Sequence, residues 1–428
     1  MKAYKNRIFD EILRDALDAK GAVLIEGAKW CGKTTTAEQA AKSVIYINDP
    51  KRREQYVMTA QTNPQRLLAG DNPRLIDEWQ IAPELWDAIR FDVDHSDKDG
   101  KYILTGSAVP LDEAAKKKIH HSGTGRFAWI RMRPMSLYES LESSGCVSFS
   151  DLFAGRRTLG DAMPHTLEEM AYLTCRGGWP RATGKSGKAA LRQAFDYVDA
   201  IVNTDISRVD EVLRDPDLAM RIMTSLARLQ GTQASVAAIR ADLAPNASAG
   251  GVHENTVYSY VGALKKIFVV EDMPAWCPNL RCKTPIRTTD TRYFTDPSIA
   301  TAALGLGPGN LMDDLKTFGL LFETLVARDL RTYAAANDGR VSHYRDKSGL
   351  ECDAVMHLRD GRYGLIEVKV GGTALIAEGR AKLHRLANEI DTKKMKNPSF
   401  RMIIVAEGDF AYDEPDGTLV CPIGCLKP

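Results

Sequence analysis

The octet Gly27-Ala-Lys-Trp-Cys-Gly32-Lys33-Thr34 constrains this chain more than any other stretch, because it fits the spacing G-x-x-x-x-G-K-[ST] without a mismatch. The apolar run 22–25 precedes it, and a helical pattern over 35–43 follows. That placement gives the motif its physics. Glycines let the backbone curl until successive N–H groups point at phosphate oxygens, and the helix start adds its positive dipole end. Lys33 is expected to reach the β- and γ-phosphates and the Thr34 hydroxyl to ligate magnesium, so ATP and Mg²⁺ are the expected ligands. Gly27, Gly32, Lys33, Thr34 and Thr35 make up the expected nucleotide-binding set.

Such a loop needs an acid at the end of a neighbouring strand. The segment Arg74-Leu-Ile-Asp77-Glu78 supplies two. Asp77 is expected on the metal side, and Glu78 is expected to orient or deprotonate the attacking water. The strand-like stretch 102–107 ends in Thr105 and Ser107, hydroxyls placed to sense the terminal phosphate. Gly123-Thr-Gly125-Arg126 puts a cation on a flexible loop. Arg126 is expected to stabilise transition-state charge, within the subunit or across an interface formed by self-association. Lys33, Glu78, Ser107 and Arg126 are thus the catalytic candidates.

A chain of 428 residues exceeds one hydrophobic core and suggests about three domains. With 44% hydrophobic and 26% charged residues it is not a mainly disordered chain. Its 57 basic residues against 56 acidic ones leave a net charge of +1, so no global basic field advertises nucleic acid. No apolar run approaches the roughly 18 residues of a membrane span, and the amino terminus mixes acids and bases unlike a signal peptide. The eight cysteines are scattered, with only Cys277/Cys282 and Cys421/Cys425 close in sequence. Neither pair has zinc-site spacing, so reduced thiols and a cytoplasmic location are expected.

The hydrophobic pattern divides the chain into four pieces. Residues 1–108 alternate helical and strand-like stretches, with strands at 22–25, 43–47, 74–76 and 102–105, which implies a parallel α/β sheet in a first domain expected over 1–140. Residues 109–215 read as mostly helical, broken by Gly177-Gly-Trp-Pro180, with 141–215 taken as a unit of their own. Residues 217–270, within a segment expected over 216–300, read as three helices and a strand at 267–270, an order that suits a winged helix. Residues 301–428 open with a helix and continue as strands at 341–345, 352–357, 363–370 and 401–406 around a helix at 375–390, a second α/β domain.

That last domain carries its own charged cluster. In Ile366-Glu367-Val-Lys369 two charges lie two apart on an apparent strand and share one face. Asp353 precedes them on another strand, and Glu323 lies on the preceding helix. Two carboxylates beside a lysine suit a divalent metal that activates water, with the lysine steadying charge on phosphate. Asp353, Glu367, Lys369 and Glu323 are therefore a candidate nuclease-like metal site; a solvated edge strand is the plainer alternative.

Leu75-Ile-Asp-Glu-Trp-Gln80, Ile103-Leu-Thr-Gly-Ser107 and the stretch from Gly125-Arg126 to Glu139, together with the phosphate loop, resemble AAA-superfamily ATP-binding proteins of bacteria and archaea. Gly177-Gly-Trp-Pro180 and Tyr344–Asp353 are similar to the carboxyl-terminal domain of unknown function that those proteins carry. The resemblance covers nearly the whole chain. It implies a phosphate-loop ATPase core of AAA type, a helical lid, a winged-helix segment and a restriction-endonuclease-like α/β domain. Lys29-Trp30 stands where Arg-Gln is usual, and Gly123-Thr-Gly125-Arg126 where Leu-Ala-Gly-Arg is usual.

Nucleic acid is a weaker expectation. The candidate reading helix 253–266 offers Asn255 early, but Lys265 and Lys266 stand at its far end. Over 217–268 the cations Arg221, Arg228, Arg240, Lys265 and Lys266 face Asp217, Asp242 and Glu254. That small excess favours docking of a protein partner over groove reading, and a non-cutting interaction module is the alternative function for the carboxyl-terminal half.

Overall fold

The computed structural model describes residues 4–106, 123–210, 212–243, 251–278, 289–393 and 395–428. Ser107, Lys116 to Lys118, Cys282 and Lys394 lie outside the described residues. Two sheets dominate. The first joins β1 (Ala22–Glu26), β2 (Ser43–Tyr46), β3 (Arg74–Asp77), β4 (Tyr102–Thr105) and β5 (Phe127–Arg131) in the order β2-β3-β4-β1-β5, with every neighbour parallel. The interior positions of its central strands, Val23–Ile25, Leu75–Ile76 and Ile103–Leu104, are apolar because both faces are covered. Ala22, Leu24, Ile76 and Leu104 pack with Leu85, Trp86 and Ile89 of the helix Glu84–Asp94. Val23, Ile25, Leu75 and Ile103 pack on the opposite face with Phe9, Leu13 and Leu17 of the helix Ile8–Ala19.

β5 is a strand within the stretch 109–215 that was expected to be mostly helical. At the sheet edge Phe127 is buried, and from Ala128 to Arg131 half-buried positions alternate with exposed ones. The Trp86 and Phe127 rings stack with centroids 4.1 Å apart, which fastens β5 to the covering helix.

The helices Leu167–Arg176 and Gly187–Ala200 follow, and the first ends at Gly177, whose φ of 69° favours glycine. A short β6 (Val147–Ser148) comes before them. Helices Pro216–Arg228, Val236–Leu243 and Glu254–Lys266 then lead to an antiparallel pair, β7 (Val270–Met273) and β8 (Thr291–Phe294). The strand expected at 267–270 begins only at Val270, because Phe268 adopts φ 60° and turns the chain out of the helix first.

The second sheet holds β9 (Gly339–Arg345), β10 (Glu351–Leu358), β11 (Tyr363–Lys369), β12 (Phe400–Val405), β13 (Tyr412–Asp413) and β14 (Leu419–Pro422), in the order β13-β14-β12-β11-β10-β9. The 22-residue helix Leu315–Ala336 covers one face through Phe318, Phe322 and Leu325. The helix Thr373–Glu389 covers the other through Leu383 and Leu386. The chain closes with β15 (Leu426–Lys427), which runs parallel to β6.

Buried polar contacts bind the pieces together. Arg328 on the long helix donates to Asp296 at 2.9 Å and to Asp329 at 2.8 Å. Asp329 Oδ2 accepts the Leu137 N–H, and Asp296 Oδ2 accepts the Gly178 N–H. Arg7 pairs with buried Glu139 at 2.8 Å. Cys277 is disulfide-bonded, contrary to the expectation of reduced thiols throughout, while the other six described cysteines are free. Among the described residues no helix is long and apolar enough to cross a membrane.

Candidate functional site

The octet forms the turn leaving the carboxyl end of β1, between β4 and β5, and enters the helix Lys33–Ala40. This is the crevice at strand ends where open α/β sheets bind ligands. Gly27 and Gly32 adopt φ of 148° and 106°, backbone that side chains rarely tolerate. A Cβ on Gly27 would also lie 2.1 Å from the Met132 carbonyl oxygen. The Lys33 ammonium folds back over the loop and donates to the carbonyls of Gly27 at 2.7 Å and Ala28 at 2.9 Å. Thr35 is exposed on the first turn of the helix.

Asp77 ends β3, two strands from β1, and one of its oxygens collects two hydroxyls. Thr34 Oγ1 donates to Asp77 Oδ1 at 2.7 Å, and Thr105 Oγ1 donates to the same atom at 2.6 Å. The loop, β3 and β4 are thereby joined at one carboxylate. A hydroxyl facing a carboxylate is the hard oxygen donor set that magnesium prefers. Glu78 follows in the left-handed region (φ 55°), which swings its side chain away from the strand direction. Burial and the neighbouring Asp77 raise its pKa, offset in part by a hydrogen bond from Gln80 and by Lys33 and Lys29.

Arg126 is elsewhere. Its carbonyl accepts the Ala22 N–H at the start of β1, so it sits at the opposite edge of the sheet. Five strand residues separate that edge from Gly27, roughly 16 Å at ~3.3 Å per residue. Its guanidinium donates to Asp94 Oδ1 at 2.5 Å and to Thr124 O at 3.1 Å. Parallel strand register is the physical reason: it places the loop before β5 and the loop after β1 at opposite ends. Ser107 lies outside the described residues.

Other residues touch the phosphate loop with no sequence motif to announce them. Arg7 Nη1 donates to the Cys31 carbonyl at 2.9 Å. Lys29 pairs with Asp205 at 2.5 Å, and the Trp30 ring lies 5.4 Å from that of Tyr197. Only the charge of Asp205 and the bulk of Trp30 hint at these contacts.

In the second sheet, Asp353, Glu367, Lys369 and Glu323 come together. A bulge between Cys352 and Val355 re-aims Asp353, whose Oδ2 accepts the Val368 N–H at 2.7 Å. Lys369 Nζ lies 2.8 Å from Glu367 Oε2 and 3.7 Å from Asp353 Oδ2. Glu323 accepts a hydrogen bond from Tyr293. Burial, then the charge of Asp353, push both Glu323 and Glu367 up to about 8. Glu323, Asp353 and Lys369 line a cleft of about 690 Å³ with Leu320 and Leu375. Among the described residues no three His, Cys, Asp or Glu side chains are arranged to hold a metal ion.

Residues 19–141 match a family model described as an AAA domain. With the parallel sheet and the loop at its carboxyl edge, they form a nucleotide-binding domain of the AAA-type ATPase class. Residues 167–310 and 318–426 match two further families, each described as a domain of unknown function (DUF8612 and DUF4143). Uncharacterized proteins of Mycobacterium tuberculosis and Mycobacterium bovis are each 23% identical over 369 residues, which is 85% of this chain and 74% of theirs. A Walker-type ATPase of Pyrococcus abyssi is similar at 14% identity with a TM-score of 0.41, over 70% of this chain and 96% of that one.

Proposed function

We propose that the chain is a magnesium-dependent ATP-hydrolysing switch whose chemistry runs on Lys33, Thr34, Asp77 and Glu78. The carrying observation is the convergence of Thr34 and Thr105 on a single oxygen of Asp77, which sets the loop, its metal-side acid and a sensing strand in one network. Lys33 exchanges the two loop carbonyls for phosphate oxygens, and the loop N–H groups hold the remaining charge. Thr34 and Asp77 would hold the magnesium ion, which would supply positive charge to the phosphate oxygens. Glu78, deprotonated, orients water and takes its proton. Thr105, freed from or held to Asp77, reports which nucleotide is present. Arg126 acts on phosphate only if a second copy of the chain presents it. Calorimetric titration with ATP and Mg²⁺ tests the reading; absence of binding heat from the intact chain refutes it.

For the carboxyl-terminal unit two readings compete, a metal-dependent nuclease and a module that binds nucleic acid or a protein without cutting. The position of Lys369 favours the second. Its ammonium sits between the carboxylates that a divalent ion would need, and neutralises them itself. The helices of 216–266 and the β7–β8 ladder, read as a winged helix, serve as docking scaffold on this reading. Cutting of single-stranded, duplex or RNA substrates with Mn²⁺, abolished in Asp353→Ala and Lys369→Ala, would restore the first.

A further inference from the structure

Cys146, Cys421 and Cys425 lie together although 275 residues separate the first two in sequence. The parallel ladder between β6 and β15 brings them there. Val147 stands opposite Leu426, so the residues one step earlier, Cys146 and Cys425, approach the ladder side by side. Strands in register lie ~4.8 Å apart, inside the roughly 4.4–6.8 Å between Cα atoms that a disulfide spans. Both sulfurs flank Gly160: Cys425 Sγ lies 4.0 Å from its carbonyl oxygen, and a Cβ on Gly160 would lie 3.5 Å from Cys146 Sγ. Cys421 and Cys425 are buried, while Cys146 is only half-buried and gives solvent its entry.

We propose that Cys146 and Cys425 are a reversible oxidation site, closed into a disulfide by a low-molecular-weight disulfide of the oxidised-glutathione class. The deprotonated Cys146 sulfur attacks one sulfur of the oxidant; a protein–oxidant S–S bond forms, the oxidant's own S–S bond breaks, and one small thiol leaves. The Cys425 sulfur then attacks the Cys146 sulfur and expels the second small thiol. The two protein thiol protons end on the two departing thiols, so one oxidant is reduced and one protein disulfide is made.

The surroundings divide the labour. The neighbouring Cys421, against burial and with help from Cys146 and the Ala411 N–H, draws the pKa of Cys425 below the ordinary thiol value and favours the thiolate needed for the second attack. Cys421 is a positioning residue. The closed bond would lock β6, which follows the Ser136–Ser144 segment carrying Glu139, onto the last strand of the chain. Glu139 pairs with Arg7, and Arg7 holds the Cys31 carbonyl of the phosphate loop.

The test is to incubate the reduced full-length protein with oxidised glutathione, block free thiols and map disulfide-linked peptides by mass spectrometry. A peptide pair joining Cys146 to Cys425, reversed by dithiothreitol, is expected. Cys425→Ser should stop at a glutathione adduct on Cys146. Cys421→Ala should still close the bond, but with the pH midpoint of the closing rate displaced upward, whereas Cys421→Ser keeps a donor and stays near the parent. Oxidation that leaves Cys146 and Cys425 unlinked in the parent, or that links Cys421 to Cys425 instead, overturns the proposal. So does an unchanged pH midpoint in Cys421→Ala for the role given to that residue.

Discussion

Lys29, inside the phosphate loop, lies 2.5 Å from Asp205 on the helical segment beyond the sheet. The pair crosses from the nucleotide-binding turn to a separate part of the chain, beside the Trp30–Tyr197 contact. Lys29 is 40% exposed, so the pair adds little stability, at most ~1 kcal/mol. Its consequence is electrostatic. In Asp205→Asn the ammonium is released next to the phosphate site, and ATP affinity should rise by up to about tenfold, less at high salt. Calorimetry at two ionic strengths measures it; weaker binding would contradict the geometry.

Lys33→Ala should remove ATP binding while the chain stays folded. The lysine's hydrogen bonds in the structure go to two carbonyls of its own loop, so its loss leaves those carbonyls open to water. Charge-assisted bonds of about 1.5–3 kcal/mol each make the expected loss at least about a hundredfold. An unchanged thermal midpoint with no binding heat is the expected pair of results.

Glu78→Gln should keep ATP bound and lower turnover by about 10²–10⁴. Burial raises the pKa of Glu78, and the base works only when deprotonated. The parent's turnover should therefore climb with pH through a midpoint above the usual carboxylate range, and that limb should vanish in the variant. Phosphate release across pH 5 to 8 measures both. Equal turnover in the two proteins would assign the base elsewhere.

Arg126→Ala should leave turnover unchanged in dilute, monomeric protein, because the arginine stands at the far edge of the sheet. A loss that appears only as protein concentration rises would mark action on a neighbouring copy. A loss at every concentration would contradict the placement.

Glu271 offers a stability test. It lies among Arg133 at 2.6 Å, Arg131 at 3.5 Å and Arg331 at 3.7 Å. Burial by itself would push its carboxyl up; the arginines more than reverse that and hold it well below the usual range. With the folded pKa depressed, the contribution is full above the unfolded pKa of about 4.3 and fades as pH falls below it. Glu271→Gln should cost about 3–5 kcal/mol at neutral pH, since it strands buried cations. Denaturant unfolding should also show a flatter stability profile than the parent between pH 5 and pH 3.

Local patterns and tertiary placement divide this protein between them. The phosphate loop, the acids ending β3 and the strand pairing of Glu367 with Lys369 were legible because each depends on spacing along one or two adjacent elements: a glycine turn, a strand end, a period of two. β5 was missed, since a short edge strand of mixed polarity carries a weak periodic signal and the neighbouring residues read as helix.

Composition and motif alone pointed to a phosphate-loop turn after the first strand of an α/β sheet, and to a further α/β unit in the last part of the chain. Only the fold decided where Arg126 points, that Lys369 sits on its own neighbouring carboxylates, and that Cys146 meets Cys425 across the last strand. The reason is range: local sequence sets backbone geometry over a few residues, whereas strand order, register and helix packing bring together groups hundreds of residues apart, and charges and thiols act through those distances.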